Sequence, residues 1–202
     1  MKTKLNNPPK YLNVDEFNKL IKNSTLIKLR KKSLKSIYIH LAVNLGLHAG
    51  LRVSEMIKLK PKDVTLDSEF QNITIVNSKY NRTRIVPIMD TPLISLLKYL
   101  NVENNINLDI PYINRTTRQL YNLIEKVYKL SNIEYGGIHQ LRHTYARRCI
   151  SLGGLKIPDV QYLLGHSSTS TTRRYIDAEF SSNTSYIKEA FRKMKKFNDN
   201  NY

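Results

Sequence analysis

Tryptophan is absent from this sequence, cysteine occurs once, and acidic side chains are outnumbered two to one by basic ones. Cys149 is the only thiol among 202 residues, so neither an internal disulfide nor a thiolate metal cluster can form, which suits a reducing compartment. Its surroundings, "ARRCISL", read as a helix in which a small apolar thiol is buried. No apolar run approaches the roughly 18 residues that span a bilayer. The N-terminus "MKTKLNNPPKYLNVDEF" is basic but lacks the apolar middle of a signal peptide. A soluble, cytoplasmic protein with no membrane contact is therefore expected. Acidic residues number 16 against 33 lysines and arginines, a formal charge of +17. Such an excess must repel itself or meet something negative, and nucleic acid is the first candidate.

Several kinds of chemistry are missing as well. There is no Gly-rich phosphate loop, no paired-carboxylate constellation and no metal-ligand cluster. His139 and His143 stand four apart in "HQLRH", but no Glu lies between them and no cysteine joins them, so neither a metal nor another cofactor is expected.

What is present is a hydrophobic content of 41%, enough for one core in a single domain, with two small lobes as the outer limit. Asn13, with Glu16 three residues on, marks a helix start, and Phe17, Leu20 and Ile21 repeat on one face. The basic "KLRKKSLK" leads into "SIYIHLAVNLGLHAG", a helix apolar nearly all round and closed by Gly50. "LRVSEMIKLK" adds a helical turn stopped by Pro61. Two β-branched runs in "NITIVNSKYNRTRIVPI" flank a polar tip and predict a β-hairpin with Lys79 and Arg82 near its turn. Helical spacing returns in "TPLISLLKYLNV", "TTRQLYNLIEKVYKLSN", "GIHQLRHTYARRCISLGG" and "IPDVQYLLG", with a loop or weak strand at "ENNINLDIPYINR". "NTSYIKEAFRKMKKF" is a basic amphipathic helix, and "NDNNY" a disordered tip. The fold class expected is mainly α with a small antiparallel β-sheet, an α+β arrangement.

Few residues could carry chemistry. His139 and Arg142 share a helix face, either as a solvated basic surface or as a phosphate clamp in which Arg supplies a bidentate fork and His moves a proton. Arg52, just past the glycine stop, is either a helix-end cation paired with Glu55 or a rigidly held guanidinium. His166 follows Gly165 at a helix C-terminus, where the dipole favours a cation. Tyr175 is one of 13 tyrosines, which are more often core than chemistry. To act as a nucleophile it needs positive charge and a proton acceptor from elsewhere in the fold.

Taken in order, "GLHAGLRVSEMIKLKPKDV", "NITIVNSKYNRTRIVPI", "GIHQLRHTYARR" and "LLGHSSTSTTRRYID" resemble the tyrosine recombinase (phage integrase) family, in its catalytic domain. The likeness implies that Arg52 and Arg142 clamp a phosphate, that His139 completes the clamp as a general base, and that His166 donates to the phosphate. Lys79 becomes the general acid for the leaving oxygen and Tyr175 the nucleophile. Where the family commonly has glycines around that lysine, this chain has Ser78 and Tyr80, and Arg82 is a rival for the role. The implied activity is site-specific cutting and rejoining of double-stranded DNA through a 3′-phosphotyrosyl link, without metal or ATP.

The implied partners are duplex DNA, further copies of the chain (a dimer on a site, a tetramer in synapsis), and a separate DNA-binding domain or accessory protein. The domain division expected is a lead-in over 1–8, a catalytic domain over 9–180, and a basic helix and tail over 181–202. No counterpart of the family's usual N-terminal core-binding domain is expected in this sequence, as in a single-domain member or an excised fragment. The basic tail helix either docks on a neighbouring protomer or folds on its own domain. Two other functions remain open at this level: DNA relaxation of the type IB topoisomerase kind, and a basic DNA-binding regulator with a silent site.

Overall fold

The computed structural model describes residues 10–31, 33–68, 70–77, 82–88, 90–103, 107–165 and 184–201. Helix α1 (Val14–Lys31) opens on a capping box: Asn13 Oδ1 accepts from the Glu16 amide at 2.9 Å, and Glu16 Oε2 accepts from the Asn13 amide at 2.9 Å. Each satisfies a backbone donor that the first helical turn leaves unpaired. Phe17 and Leu20 are buried, as their spacing predicts. Of the basic segment expected as a lead-in to the second helix, residues 28–31 instead form the last turn of α1, and Leu34 and Lys35 already belong to the second helix. Lys28, Arg30 and Lys31 meet the negative end of the α1 dipole.

Helix α2 (Leu34–Ala49) begins with a second capping box, between Ser33 and Ser36, and every residue from Ile39 to Leu47 is buried. It packs on α1 and on the later helices α4 (Thr91–Glu103), α5 (Thr117–Leu130) and α6 (Ile138–Ser151). Each fully buried large aliphatic side chain of α2 contributes roughly 1.5–3 kcal/mol to core stability. The helix ends at Gly50, whose φ of 61° lies in the left-handed region. The Tyr145 ring of α6 fills the place a Cβ there would take.

Helix α3 (Val53–Met56) is a single turn, and Pro61 does not stop it; Pro61 opens a separate 3-10 turn, Pro61–Asp63. The sheet has three antiparallel strands in the order β1 (Val64–Thr65), β2 (Asn72–Asn77), β3 (Arg82–Pro87). The β2–β3 hairpin is the one its β-branched runs predict, whereas β1 is too short to leave a sequence period. Ile73 pairs with Val86 and Ile75 with Arg84, all four buried, while Val76 and Ile85 face outward. Arg84 thus takes an inward position among apolar side chains.

Two apolar cores result. One joins α1, α2, α4 and α5 with the sheet. The other joins α6 with α7 (Ile157–Leu164) and α8 (Thr184–Asn201), through Cys149, Val160, Leu163, Ile187 and Phe191. Cys149 is buried, as its setting predicts. The tail helix therefore folds on its own domain. It also runs through the segment expected to be disordered, because Asn198 is buried, accepting from Arg148 and donating to Asp90 Oδ2 at 3.3 Å. The fold is mainly helical with one small antiparallel sheet, as the sequence predicts. Among the described residues, no helix is long and apolar enough to cross a membrane.

Candidate active site

The end of α7 is where the candidate residues meet. A helix C-terminus leaves carbonyls without intrahelical partners and carries partial negative charge. Here three successive carbonyls each receive one arginine. Arg84 Nε donates to the Leu163 carbonyl at 2.8 Å, Arg142 Nη2 to the Leu164 carbonyl, and Arg52 Nη2 to the Gly165 carbonyl at 3.0 Å. Gly165 caps α7 at φ 63°, and a Cβ on it would stand 2.8 Å from Arg84 Nη1. Only glycine suits that position, for both backbone and space.

Arg142 is further held by a bond from Nη1 to the Gly50 carbonyl at 2.6 Å. The left-handed stop of α2 is thereby tied to the site. With 5% of its surface exposed, Arg142 is no part of a solvated basic face; that reading is overturned. Burial, then the charge of Arg52, push its pKa down to about 9 against the pull of Glu55, so it remains cationic at neutral pH. Arg52 occupies the turn between α2 and α3 with its side chain 33% exposed. Glu55 accepts from its amide at 2.7 Å and from Nη1 at 3.1 Å. Both roles weighed for Arg52 thus coexist: it pairs with Glu55 and is rigidly held. A guanidinium has five N–H donors, so anchoring by two of them is compatible with gripping a phosphate by others.

Glu55 is shared. Arg84 Nη1 and Nη2 each donate to one of its oxygens at 2.9 Å, a bidentate pair. Burial works against the carboxylate, but hydrogen bonds and charge from Arg84, with a smaller share from Arg52, outweigh it and hold its pKa below the ordinary value. An ion pair this buried adds little net stability, since desolvation offsets the attraction. Its consequence is geometric: α3, β3 and the end of α7 are locked together.

His139 lies in the first turn of α6, exposed, one turn before Arg142. Burial first, then the neighbouring cationic Arg142, lower the pKa of His143 on the next position of the helix. The structure thus brings Arg52 and Arg142 together and sets His139 upstream of Arg142 on one helix. Lys79, His166 and Tyr175, with Ser78 and Tyr80, lie outside the described residues; in sequence, Lys79 falls between β2 and β3, and His166 directly follows Gly165. Among the described residues, no group of His, Cys, Asp or Glu is arranged to hold a metal ion. Sequence reasoning missed Arg84. The signal was there, an arginine in step with the inward Val86 and Ile88 of a period-two strand.

Known proteins of this kind are similar in sequence and in shape. The family model described as "Phage integrase family" matches residues 10–182. Tyrosine recombinase XerA of Pyrococcus horikoshii is 31% identical over a 208-residue alignment covering 95% of this chain and 66% of that protein. Tyrosine recombinase XerC of Thermodesulfovibrio yellowstonii is 32% identical over 181 residues, 83% of this chain and 57% of the relative. The chain therefore spans no more than about two-thirds of these relatives. The crystal structure of XerH site-specific recombinase bound to its difH substrate, a pre-cleavage complex, matches with a TM-score of 0.69 at 26% identity, covering 86% of this chain and 52% of that one. With the ordered motifs, the fold and the arginine cluster in agreement, the chain belongs to the phage integrase family, the tyrosine recombinases.

Proposed function

We propose that the chain is the catalytic part of a site-specific DNA recombinase that cuts and rejoins strands through a 3′-phosphotyrosyl intermediate. The observation that carries this reading is the fixing of Arg52 and Arg142 on adjacent carbonyls at the end of α7. Tyr175 Oη attacks the scissile phosphorus, its proton passes to His139, and the bond to the 5′-oxygen breaks as Lys79 protonates that oxygen. His166 and the two arginines bind the nonbridging oxygens. A phosphodiester carries one negative charge and its pentacovalent transition state two. Arg52, Arg84 and Arg142 against Glu55 leave a matching net charge of +2 in the described cluster. Donors fixed before reaction stabilise developing charge without reorganising. The phosphotyrosyl link conserves the bond, so a second 5′-hydroxyl reverses the attack and joins a new strand without ATP.

In this proposal residues 9–180 form the catalytic unit and 181–202 its tail helix, working in the cytoplasm on double-stranded DNA. A separate DNA-binding domain or accessory protein completes the grip on the duplex in this reading, and copies of the chain pair on a site and between sites. Recovering DNA covalently bound to the protein in its host maps the site. A nicked suicide duplex carrying that site is then expected to trap a covalent adduct with the wild type and none with Tyr175→Phe. An adduct that survives the change would sink the assignment.

A further inference from the structure

Arg84 is buried, with 6% of its surface exposed, and it belongs to the strand that leaves the hairpin tip. Its three bonded nitrogens reach two other elements: Nε the Leu163 carbonyl of α7 at 2.8 Å, and Nη1 and Nη2 the two Glu55 oxygens of α3 at 2.9 Å each. Glu55 in turn receives the amide and Nη1 of Arg52. A carboxylate facing Arg52 alone would neutralise it and draw its guanidinium inward, away from a ligand. With both oxygens occupied by Arg84, Glu55 can orient Arg52 while the cluster keeps its positive charge.

We infer that Arg84 is a positioning residue for strand cleavage: it engages both oxygens of Glu55, so that Arg52 is aimed at the phosphate instead of being neutralised. The inference rests on the recombinase reading and adds to it a residue that touches no DNA. Lysine cannot substitute, because a single ammonium lacks the planar fork that spans two carboxylate oxygens and a carbonyl.

The test uses the full chain and a suicide duplex of the mapped site in two forms, one with an ordinary scissile phosphate and one with a methylphosphonate, whose transition state carries one negative charge fewer. Arg84→Gln is expected to form adduct about a hundredfold more slowly on the phosphate, the size of a lost charge-stabilising donor. On the methylphosphonate the loss shrinks to less than about tenfold, because less positive charge is needed there. Equal losses on both substrates, or no loss, overturn the inference, since a residue that only supports the fold slows both alike.

Arg84→Gln with Glu55→Gln also removes the buried carboxylate that loses its bidentate partner in the single variant and threatens its folding. It is expected to recover about tenfold of the lost rate, a coupling usual between directly bonded neighbours; no recovery counts against the role. If the wild type forms no adduct, the recombinase reading fails. The positioning claim is then decided by a crystal structure of Arg84→Gln. The Arg52 guanidinium is expected to leave the Gly165 carbonyl, now 3.0 Å away, for Glu55, and an unchanged bond overturns the claim.

Discussion

Arg142 and His40 show what burial does to a single cationic side chain. Arg142 stays charged because two carbonyls, of Gly50 and Leu164, accept its N–H groups. His40 gives up its charge. It lies in the interface of α1 and α2, where Ser24 Oγ is 2.9 Å and Asn44 Nδ2 3.3 Å from its Nδ1. Burial first, then the charges of Lys28 and His48, push its pKa down to about 4 against the pull of Asp90. An unfolded chain returns the imidazole to about 6.5. Between these values the unfolded state binds the extra proton, so this contribution is complete above pH 6.5 and is lost as pH falls toward 4. The loss amounts to about 3 kcal/mol. Melting temperature measured from pH 7 to 4 is expected to fall. The fall should be shallower in His40→Leu without vanishing, because burial lowers the pKa of His48 as well. A variant as pH-sensitive as the wild type would count against this origin.

Among the elements, α2 and α6 make the closest approach that matters to the site, for one carries the turn leading to Arg52 and the other carries His139 and Arg142. A Cβ on Gly46 would stand 2.8 Å from both Cβ and Cδ1 of Leu141, the residue preceding Arg142. Leu141 is fully buried. Alanine is the better helix former by about 1 kcal/mol, yet overpacking typically costs about 1–3 kcal/mol, so Gly46→Ala is expected to lower stability. Chemical denaturation measures this, and Leu141→Val in the same chain is expected to restore part of the loss. A more stable Gly46→Ala would show that α6 can shift freely. At the same scale, the capping box of α1, the glycine stop of α2 and the β2–β3 pairing were legible, since each depends on residues a few positions apart. Strand β1 and the last turn of α8 were not. The helical state of that turn rests on Asn198 meeting Arg148 and Asp90, which are 50 and 108 residues away in sequence.

For the whole molecule, the +17 formal charge sets how strongly the proposed DNA partner is held. Each phosphate neutralised releases counterions, so binding weakens linearly in log salt, with a slope near −0.9 per contact. With six or more contacts, affinity for a duplex of arbitrary sequence is expected to fall about a thousandfold between 50 and 200 mM salt. Fluorescence anisotropy reads this directly, and a fall of less than about tenfold would contradict a phosphate-dominated surface.

By itself the sequence determined most of the helices, the cap of α1 and the glycine stops of α2 and α7, the hairpin, the positive net charge and the family, because these follow from local periodicity and ordered motifs. It also placed Arg52, His139 and Arg142 as candidates. Only the tertiary structure decided that Arg142 is buried and that Arg52 is both paired and held. It alone showed that Arg84, unremarked in its strand, reaches Glu55 29 residues and Leu163 79 residues away in sequence. The physical reason is that a helix end offers unpaired carbonyls in every fold, but which donors arrive there depends on how distant elements pack.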